Sequence, residues 1–386
     1  MEITIVGGGI AGLATAIALA QTGRAVRILE KSAQLEDQGA GVQLGPNGIR
    51  ALRQLHIWQD LNRQTYAPQY LCIRDALTGE VIRRFSLNRF KSRFGEPYRV
   101  VHRRDLIGAL AARVRSMKEI EILSQREVTS LLWERQSPIL TLNSGERIAS
   151  RAVVGADGIH SVIRRSLLAD GSPVIHPQSI YRAILPRVTA PAVPADVVLW
   201  LYPGGHVVHY PVSGGREINI VAVIESPQEN DRSMECSPGD VASRFHAMGP
   251  DLRYLLGLPP CWIRWPAADR PPAPVWGKEA VTLIGDAAHP MLPYLAQGAA
   301  MALEDAVTLG RCVASTSDLA GAWRHYERER QPRTSILQRE ARKQAQLYHW
   351  RGWRARLRDR FLRSVPEVYF LSRIAWIYVW NHESVA

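Results

Sequence analysis

Ile3 to Val6 is a short apolar run of the kind a strand buried on both faces shows. The stretch from Ala11 to Gln21 is built of strong helix formers, and Gly23 stops it. "AVRILE" then gives a second apolar run that ends in Glu30, 18 positions beyond Gly12. Similar runs return twice, each closing on glycine and aspartate: "RAVVGADG" at 151–158 and "EAVTLIGD" at 279–286. Between them the rhythm changes. "VVLWLYPGGHVVHYPVSGGREINIVAVI" (197–224) has short β-rich runs broken by Gly-Gly turns, and "LCIRDALTGEVIRRFSL" (71–87) is similar, with "LTGE" as its turn. These are hairpins, not strand–helix–strand units. The pattern therefore predicts an α/β protein, a Rossmann-like unit with a β-sheet inserted in it.

The last part of the chain reads as helical. In "YHWRGWRARLRDRFLR" (348–363), Trp350, Trp353, Leu357 and Phe361 recur at spacings of 3, 4 and 4, one apolar stripe among arginines. Such a stripe packs on its own body or on a second subunit; the alternative is a helix lying on a membrane surface.

Composition narrows this picture. With 386 residues, 46% hydrophobic and 22% charged, the chain has room for two domains and a large core. Cys72, Cys236, Cys261 and Cys312 lack the spacing of a disulfide framework or a zinc site, so they read as reduced thiols, and no metal is expected. The N-terminus enters a strand at once, without a signal peptide pattern, and no run reaches 18 apolar residues, so the expected compartment is the cytoplasm. The formal net charge is +12. Thirteen Lys/Arg against four Asp/Glu between Gly321 and Val365 place +9 of it in one tail. No nucleic-acid motif accompanies it, so the tail reads as a solvated or partner-facing surface and no nucleic-acid partner is expected.

The chemistry begins at the first loop. Gly7, Gly9 and Gly12 supply G-x-G-x-x-G between a strand and a helix. In that setting Gly7 allows the tight turn, Gly9 lets backbone approach a pyrophosphate, and Gly12 lets helix pack on strand. The helix N-terminus holds phosphates with its free N–H groups, and Glu30 can accept the hydroxyls of an adenosine ribose. This is a site for an ADP moiety, open at this stage to NAD or FAD. Asp157 and Asp286 each end a strand, at the edge where open α/β sheets bind ligands.

The glycine loop, then "HRRDL" (102–106), "GADGIHSVIR" and "GDAAHPMLPYLAQGAAMALEDA" (285–306), with "GAGVQLGPNGIRAL" (39–52), resemble the single-component FAD-dependent aromatic hydroxylases in order along nearly the whole chain. The likeness is to the salicylate and 3-hydroxybenzoate hydroxylase-like branch. It implies the p-hydroxybenzoate hydroxylase-like fold: an FAD-binding domain (1–70, 100–178 and 266–345), a substrate sheet (71–99 and 179–265) and a C-terminal helical segment (346–386). It implies FAD in the first loop, with NADH or NADPH as a transient reductant, since the chain has no second dinucleotide loop. The cofactor residues it implies are Gly7, Gly8, Gly9, Gly12, Glu30, Lys31 and Val42, then Arg103, Val128, Asp157, Asp286, Gly298 and Ala299. Among these, Arg103 binds on the flavin side, Val128 meets the adenine through its backbone, and Asp157 serves FAD and the passing nicotinamide. Asp286 bonds a ribityl hydroxyl. The helix opening after Gln297 aims its N–H groups at the flavin N1–C2=O edge, where reduced flavin is anionic. Where many relatives have Gly-Gln-Gly this chain has Ala296-Gln297-Gly298, and a positive φ at Ala296 would strain the loop.

The implied reaction is hydroxylation of a small phenolic or hydroxybenzoate-like ring by O2 and NAD(P)H, through a flavin C4a-hydroperoxide. That step is electrophilic, so removing the phenolic proton activates the ring. A strand puts His206 and Tyr210 on one face and His209 on the other. His206 is then the base, relayed or oriented by Tyr210. Gln297 is expected within reach of the same ring, and Tyr294 is expected as a pocket wall. Two other readings stand beside this one: a flavin monooxygenase of heteroaromatic or polyketide-like rings, and a non-catalytic escort protein that uses the same glycine-rich fold. A monomer or homodimer is expected, with no membrane partner.

Overall fold

The computed structural model describes residues 2–35, 40–135, 137–226 and 233–380. Gly39, which opens the 39–52 stretch, and residues 381–386 of the expected tail lie outside them.

Five parallel strands form the first sheet, in the spatial order Val281–Leu283, Ala152–Gly155, Ile3–Val6, Val26–Leu29, Ile120–Leu123. Their apolar runs are continuous because helices and loops cover both faces. Val6 pairs with Leu29 and Gly155, and Gly155 with Leu283, so four strands end level. That register delivers Gly7, Glu30, Asp157 and Asp286 to one edge. Helix Ile10–Ala20 packs against helices Arg103–Arg115 and Gly298–Ala314 beside this sheet. A three-stranded antiparallel sheet (Val128–Glu134, Ser137–Leu142, Arg147–Ala149) adds a layer absent from the sequence reading.

The second large sheet has eight strands, in the order Met234–Cys236, Trp262–Asp269, Val174–Pro186, Glu217–Glu225, Gly205–Val212, Val197–Tyr202, Tyr70–Asp75, Val81–Ser86. The hairpins turn at Gly204 and at Gly214–Gly215, and "LTGE" joins the last two strands. The two long strands begin at Val174 and end at Asp269, so the sheet runs past the expected borders at 179 and 265. Strand alternation gives it two different faces. Val207, Ile220 and Ala222 pack with Val241, Phe245 and Leu252 of two covering helices, while His206, Val208 and Tyr210 turn the other way.

The tail meets two expectations in part. Helix Leu319–Tyr348 is followed by Gly352–Ser364 and Glu367–Tyr378. Trp350 precedes the second of these, and Trp353, Leu357 and Phe361 are 69%, 56% and 57% exposed, so the predicted stripe does not pack on the body. The buried side chain of that helix is Arg358, whose guanidinium donates to the carbonyls of Leu347 and Tyr348 at the end of the long helix. The basic charge of the tail lies mostly at the surface, as expected, but part of it is internal. Arg330 bridges Glu304 and Asp305 at 2.6 Å each, and Arg342 grips Asp269 with two bonds. All four cysteines are free thiols.

Candidate active site

The first glycine loop is closed by contact. Gly7 has φ +105°, and a Cβ there would stand 2.5 Å from the Ala156 carbonyl; one on Gly12 would stand 1.9 Å from the Gly7 carbonyl. Gly9, the N-cap of helix Ile10–Ala20, faces open space instead. The Gly8 N–H donates to one oxygen of Glu30 (2.6 Å) and the Ser32 N–H to the other (2.8 Å). Glu30 is thereby fixed at its strand end, with lone pairs left for a ribose.

The two strand-end aspartates differ. Asp157 accepts from Ser161 Oγ (2.5 Å) and from the N–H groups of Val162 (2.7 Å) and Ile163 (3.2 Å). Burial still pushes its carboxyl above the ordinary value, against those bonds. It lines the cavity, but its carboxylate is engaged in capping helix Val162–Leu168, a role the sequence reading did not assign. Asp286 is exposed, and its carboxylate has no hydrogen-bond or ion-pair partner among the described residues. Arg164, buried in the same motif as Asp157, donates to the carbonyls of Ala287 and Ala288 (3.0 and 2.6 Å) and so holds the Asp286 loop in place.

That loop reaches helix Gly298–Ala314 through Ala296, which sits in the left-handed region at φ +52°. No side chain caps the helix, and its first-turn N–H groups at Gly298 and Ala299, both lining the cavity, have no helical partner. Gln297 is buried. Its side-chain oxygen accepts from Asn47 (2.9 Å), whose other proton goes to Glu304 (2.7 Å). A carboxylate can only accept from an amide, so this fixes both amide orientations.

On the opposite wall His206, Val208 and Tyr210 project from one strand and pair across with Val223, Val221 and Asn219. Asn219 accepts from the Gly41 N–H at 2.7 Å. His206 Nδ1 lies 3.0 Å from Nε2 of His349, and Tyr294 and Tyr348 flank its ring. Burial, then the neighbouring His349, hold the His206 pKa well below its ordinary value. Tyr210 sits four strand residues away, about 13 Å along the chain, and bonds Gln43, with burial raising its phenol. The expected relay from His206 through Tyr210 is thus replaced by a contact with His349. Tyr294 is buried behind His206 and is not among the cavity-lining residues, because its ring packs against Ile180, Val223 and Ala341. Gln297 does not line the cavity either; Asn47 holds it beside the helix start. His209 faces away, fully buried, as the alternation predicts.

The cavity enclosed by these elements measures about 770 Å³. Gly7, Gly9, Glu30, Lys31, Val42 and Arg103 line it, as do Val128, Asp157, Asp286, Gly298 and Ala299. Gly8 and Gly12 stand behind the loop they shape. A larger groove of about 1600 Å³ lies alongside and shares Ala40, Arg103 and Arg182 with it, but none of the first-loop glycines line that groove. The residues fit FAD. Asp286 offers free acceptors to a hydroxyl chain, Gly9 leaves open space for phosphate at a helix N-terminus, and the uncapped N–H groups of Gly298 and Ala299 can meet a partly anionic ring edge. Asn47, Arg164, Asn219 and His349 escaped the sequence reading. Asn47 lay inside the quoted "GPNG", whereas nothing local marks His349, 143 residues from His206.

Comparison with known proteins agrees with this geometry. The model of a family described as "FAD binding domain" matches residues 1–341. The chain is 36% identical to a 3-hydroxybenzoate 6-hydroxylase of Klebsiella oxytoca over 392 residues, covering 100% of this chain and 98% of that one. It is 34% identical to a 3-amino-4-hydroxybenzoate 2-monooxygenase of Streptomyces cremeus, over 98% and 95% of the two chains. Among solved structures, Klebsiella pneumoniae HpxO complexed with FAD and uric acid superposes with a TM-score of 0.86 at 23% identity, covering 98% of this chain and 96% of that one.

Proposed function

The chain belongs to the FAD-binding-domain family and is an FAD-dependent aromatic monooxygenase, and from that premise we propose that it hydroxylates a small phenolic benzoate with O2 and NADH or NADPH. One observation carries the reading: a single cavity is lined by the strand-end loops, by an uncapped helix N-terminus, and by His206 on the facing sheet. FAD held by these residues would supply the redox chemistry, electrons from a nicotinamide and one oxygen atom of O2 for the ring.

The chain's own residues do the rest. The Gly7–Gly12 loop and Glu30 hold the ADP half, Asp286 accepts from the ribityl chain, and the Gly298 and Ala299 N–H groups stabilise negative charge beside the ring. Val208, Val221, Val223 and Met291 give the substrate an apolar wall. His206 takes the phenolic proton. Its depressed pKa keeps it neutral, and so able to accept, at physiological pH. The neighbouring sheet supplies the substrate side of the cleft and the parallel sheet the cofactor side, and we draw the domain division along that line. The four free thiols support a reducing, cytoplasmic setting.

The test is a preparation assayed for flavin and for oxygen chemistry. A yellow protein with an absorption band near about 450 nm, whose NAD(P)H oxidation is stimulated by hydroxybenzoates with matching O2 uptake, supports the reading. A colourless protein favours the escort alternative, and stimulation by pyridines alone favours a heteroaromatic ring. For assembly we favour a homodimer, because Trp353, Leu357 and Phe361 stand together in solvent on one helix. Light scattering that reads the mass of one chain at micromolar concentration contradicts the dimer.

A further inference from the structure

The histidine that faces the cavity has a partner fixed to it from two sides. His206 Nδ1 and His349 Nε2 are 3.0 Å apart, their ring centroids are 5.3 Å apart with the nitrogens facing edge to edge, and the residues are 5% and 6% exposed. His349 is the C-cap of helix Leu319–Tyr348, its N–H donating to the Ala345 carbonyl. Its own carbonyl accepts from the N–H of Gly204, two residues before His206 in the hairpin. Helix end and hairpin are thereby tied at the backbone, and the imidazole contact is built into that tie. The Tyr294 ring packs 5.5 Å from His349, and Tyr294 and Tyr348 lie 5.3 and 5.2 Å from His206.

Two ring nitrogens in contact share one proton. If His206 is to accept the phenolic proton on Nε2, that nitrogen must be bare. The neutral ring then carries its proton on Nδ1 and donates to Nε2 of His349, which in turn keeps its proton on Nδ1. We propose that His349 is a positioning residue that fixes the reactive tautomer of His206 and accepts the displaced proton. The inference rests on the reading of His206 as the base. In the step, the phenol O–H bond breaks as an N–H bond forms at His206 Nε2. The His206 Nδ1–H bond breaks as one forms at His349 Nε2, and the His349 Nδ1 proton leaves to solvent. No electrons change hands.

The surroundings favour transit over storage. Burial, then Arg351 and Arg358, lower the His349 pKa to about 4. The ionisable groups facing the pair are Tyr294, Tyr348, Arg351 and Arg358, together with Glu225, which pairs with Arg351 at 2.6 Å. Among the described residues no carboxylate touches either imidazole, so a proton that reaches the pair meets no anion there to hold it.

Three variants and one measurement on the wild type test this in the holoenzyme. His349→Phe keeps an aromatic ring but no acceptor. It should retain FAD and reduction by NAD(P)H, bind the phenol un-ionised by difference absorbance at pH 7, and lose coupling by about tenfold or more. Its hydroxylation should recover only as pH approaches the phenol's own pKa. His349→Gln restores an acceptor and should recover most of the coupling. A His349→Phe enzyme that binds phenolate and couples normally overturns the proposal, and so does a His349→Gln enzyme as uncoupled as the Phe variant. If His206→Ala is uncoupled in the same assay, the base survives that outcome; if it too couples normally, the underlying reading fails. Should the Phe variant lose FAD, ¹⁵N NMR of the wild-type histidines decides alone. A protonated Nδ1 and bare Nε2 on His206 support the proposal, and the reverse tautomer refutes it.

Discussion

Asp157 and Asp286 occupy equivalent places at neighbouring strand ends and do different work. The carboxylate of Asp286 has no partner among the described residues, so its acceptors are available to a ligand. Asp286→Ala should cost a charge-assisted hydrogen bond, roughly 1.5 to 3 kcal/mol, and lower FAD affinity by about one to two decades, measured by flavin release on dilution. Asp157→Ala should instead cost about 1 kcal/mol of stability as a lost cap, with FAD affinity less affected. His209 offers a different measurement. It is fully buried, neither ring nitrogen has a partner among the described residues, and burial with Arg74 and Arg187 lowers its pKa to about 3. A base depressed in the fold binds its proton first in the unfolded chain. Its contribution is complete above about pH 6.5 and is lost as pH falls toward 3. His209→Leu should therefore flatten the fall in urea midpoint between pH 7 and 5, by about 2 kcal/mol from this group. An unchanged pH slope contradicts the burial argument. Residue types alone did not separate these roles. Both aspartates end strands, and only the three-dimensional count of donors shows which one is engaged.

The element that joins strand to flavin-facing helix carries strain at one position. Ala296 holds φ +52° at the end of a short turn, a conformation that costs an L-residue roughly 1 to 2 kcal/mol. Ala296→Gly should relieve it and raise thermal stability of the apo chain, while the Gly298 and Ala299 N–H groups keep their place and FAD affinity stays within about twofold. A lower melting temperature would mean that glycine's extra freedom in the unfolded chain outweighs the relief. The first strand–loop–helix was fully legible in sequence because its determinants lie within thirty residues. The hairpins at 197–224 were legible for the same reason, their turns being marked by glycine. The Trp353–Leu357–Phe361 stripe was legible as a helix face, and of the two partners expected for it the body of the same chain is excluded by its exposure. Helical period reports which residues align and carries no information on what covers them. The helix docks instead through Arg358, which composition had assigned to the solvent side, and through Leu362, which packs on the cluster of Ile82 and Phe85.

At the scale of the whole molecule the sequence motifs interlock. Arg164 of the second motif clamps the loop of the third, and Gln297 of the third is held through Asn47 in the 39–52 stretch. Arg330 and Arg333 of the long helix brace Glu304 beneath it. This explains why the motifs occur together, and why part of the tail's charge turns inward although most of it is exposed. The +9 segment supplies inward clamps, whose removal would strand buried carboxylates. The histidine pair lay furthest beyond sequence reading, because it joins a hairpin to a helix end 143 positions away. The account's central claim is that this assembly brings a proton acceptor on the substrate sheet to a ring activated at the FAD edge. The most direct test is the ratio of hydroxylated product to NAD(P)H consumed by His206→Ala at neutral pH. The variant should bind FAD and be reduced as wild type is. Hydroxylation should be about 10² to 10⁴ slower, with the reducing equivalents appearing as hydrogen peroxide and partial recovery toward the phenol's own pKa. A His206→Ala enzyme with wild-type coupling at pH 7 would contradict the account.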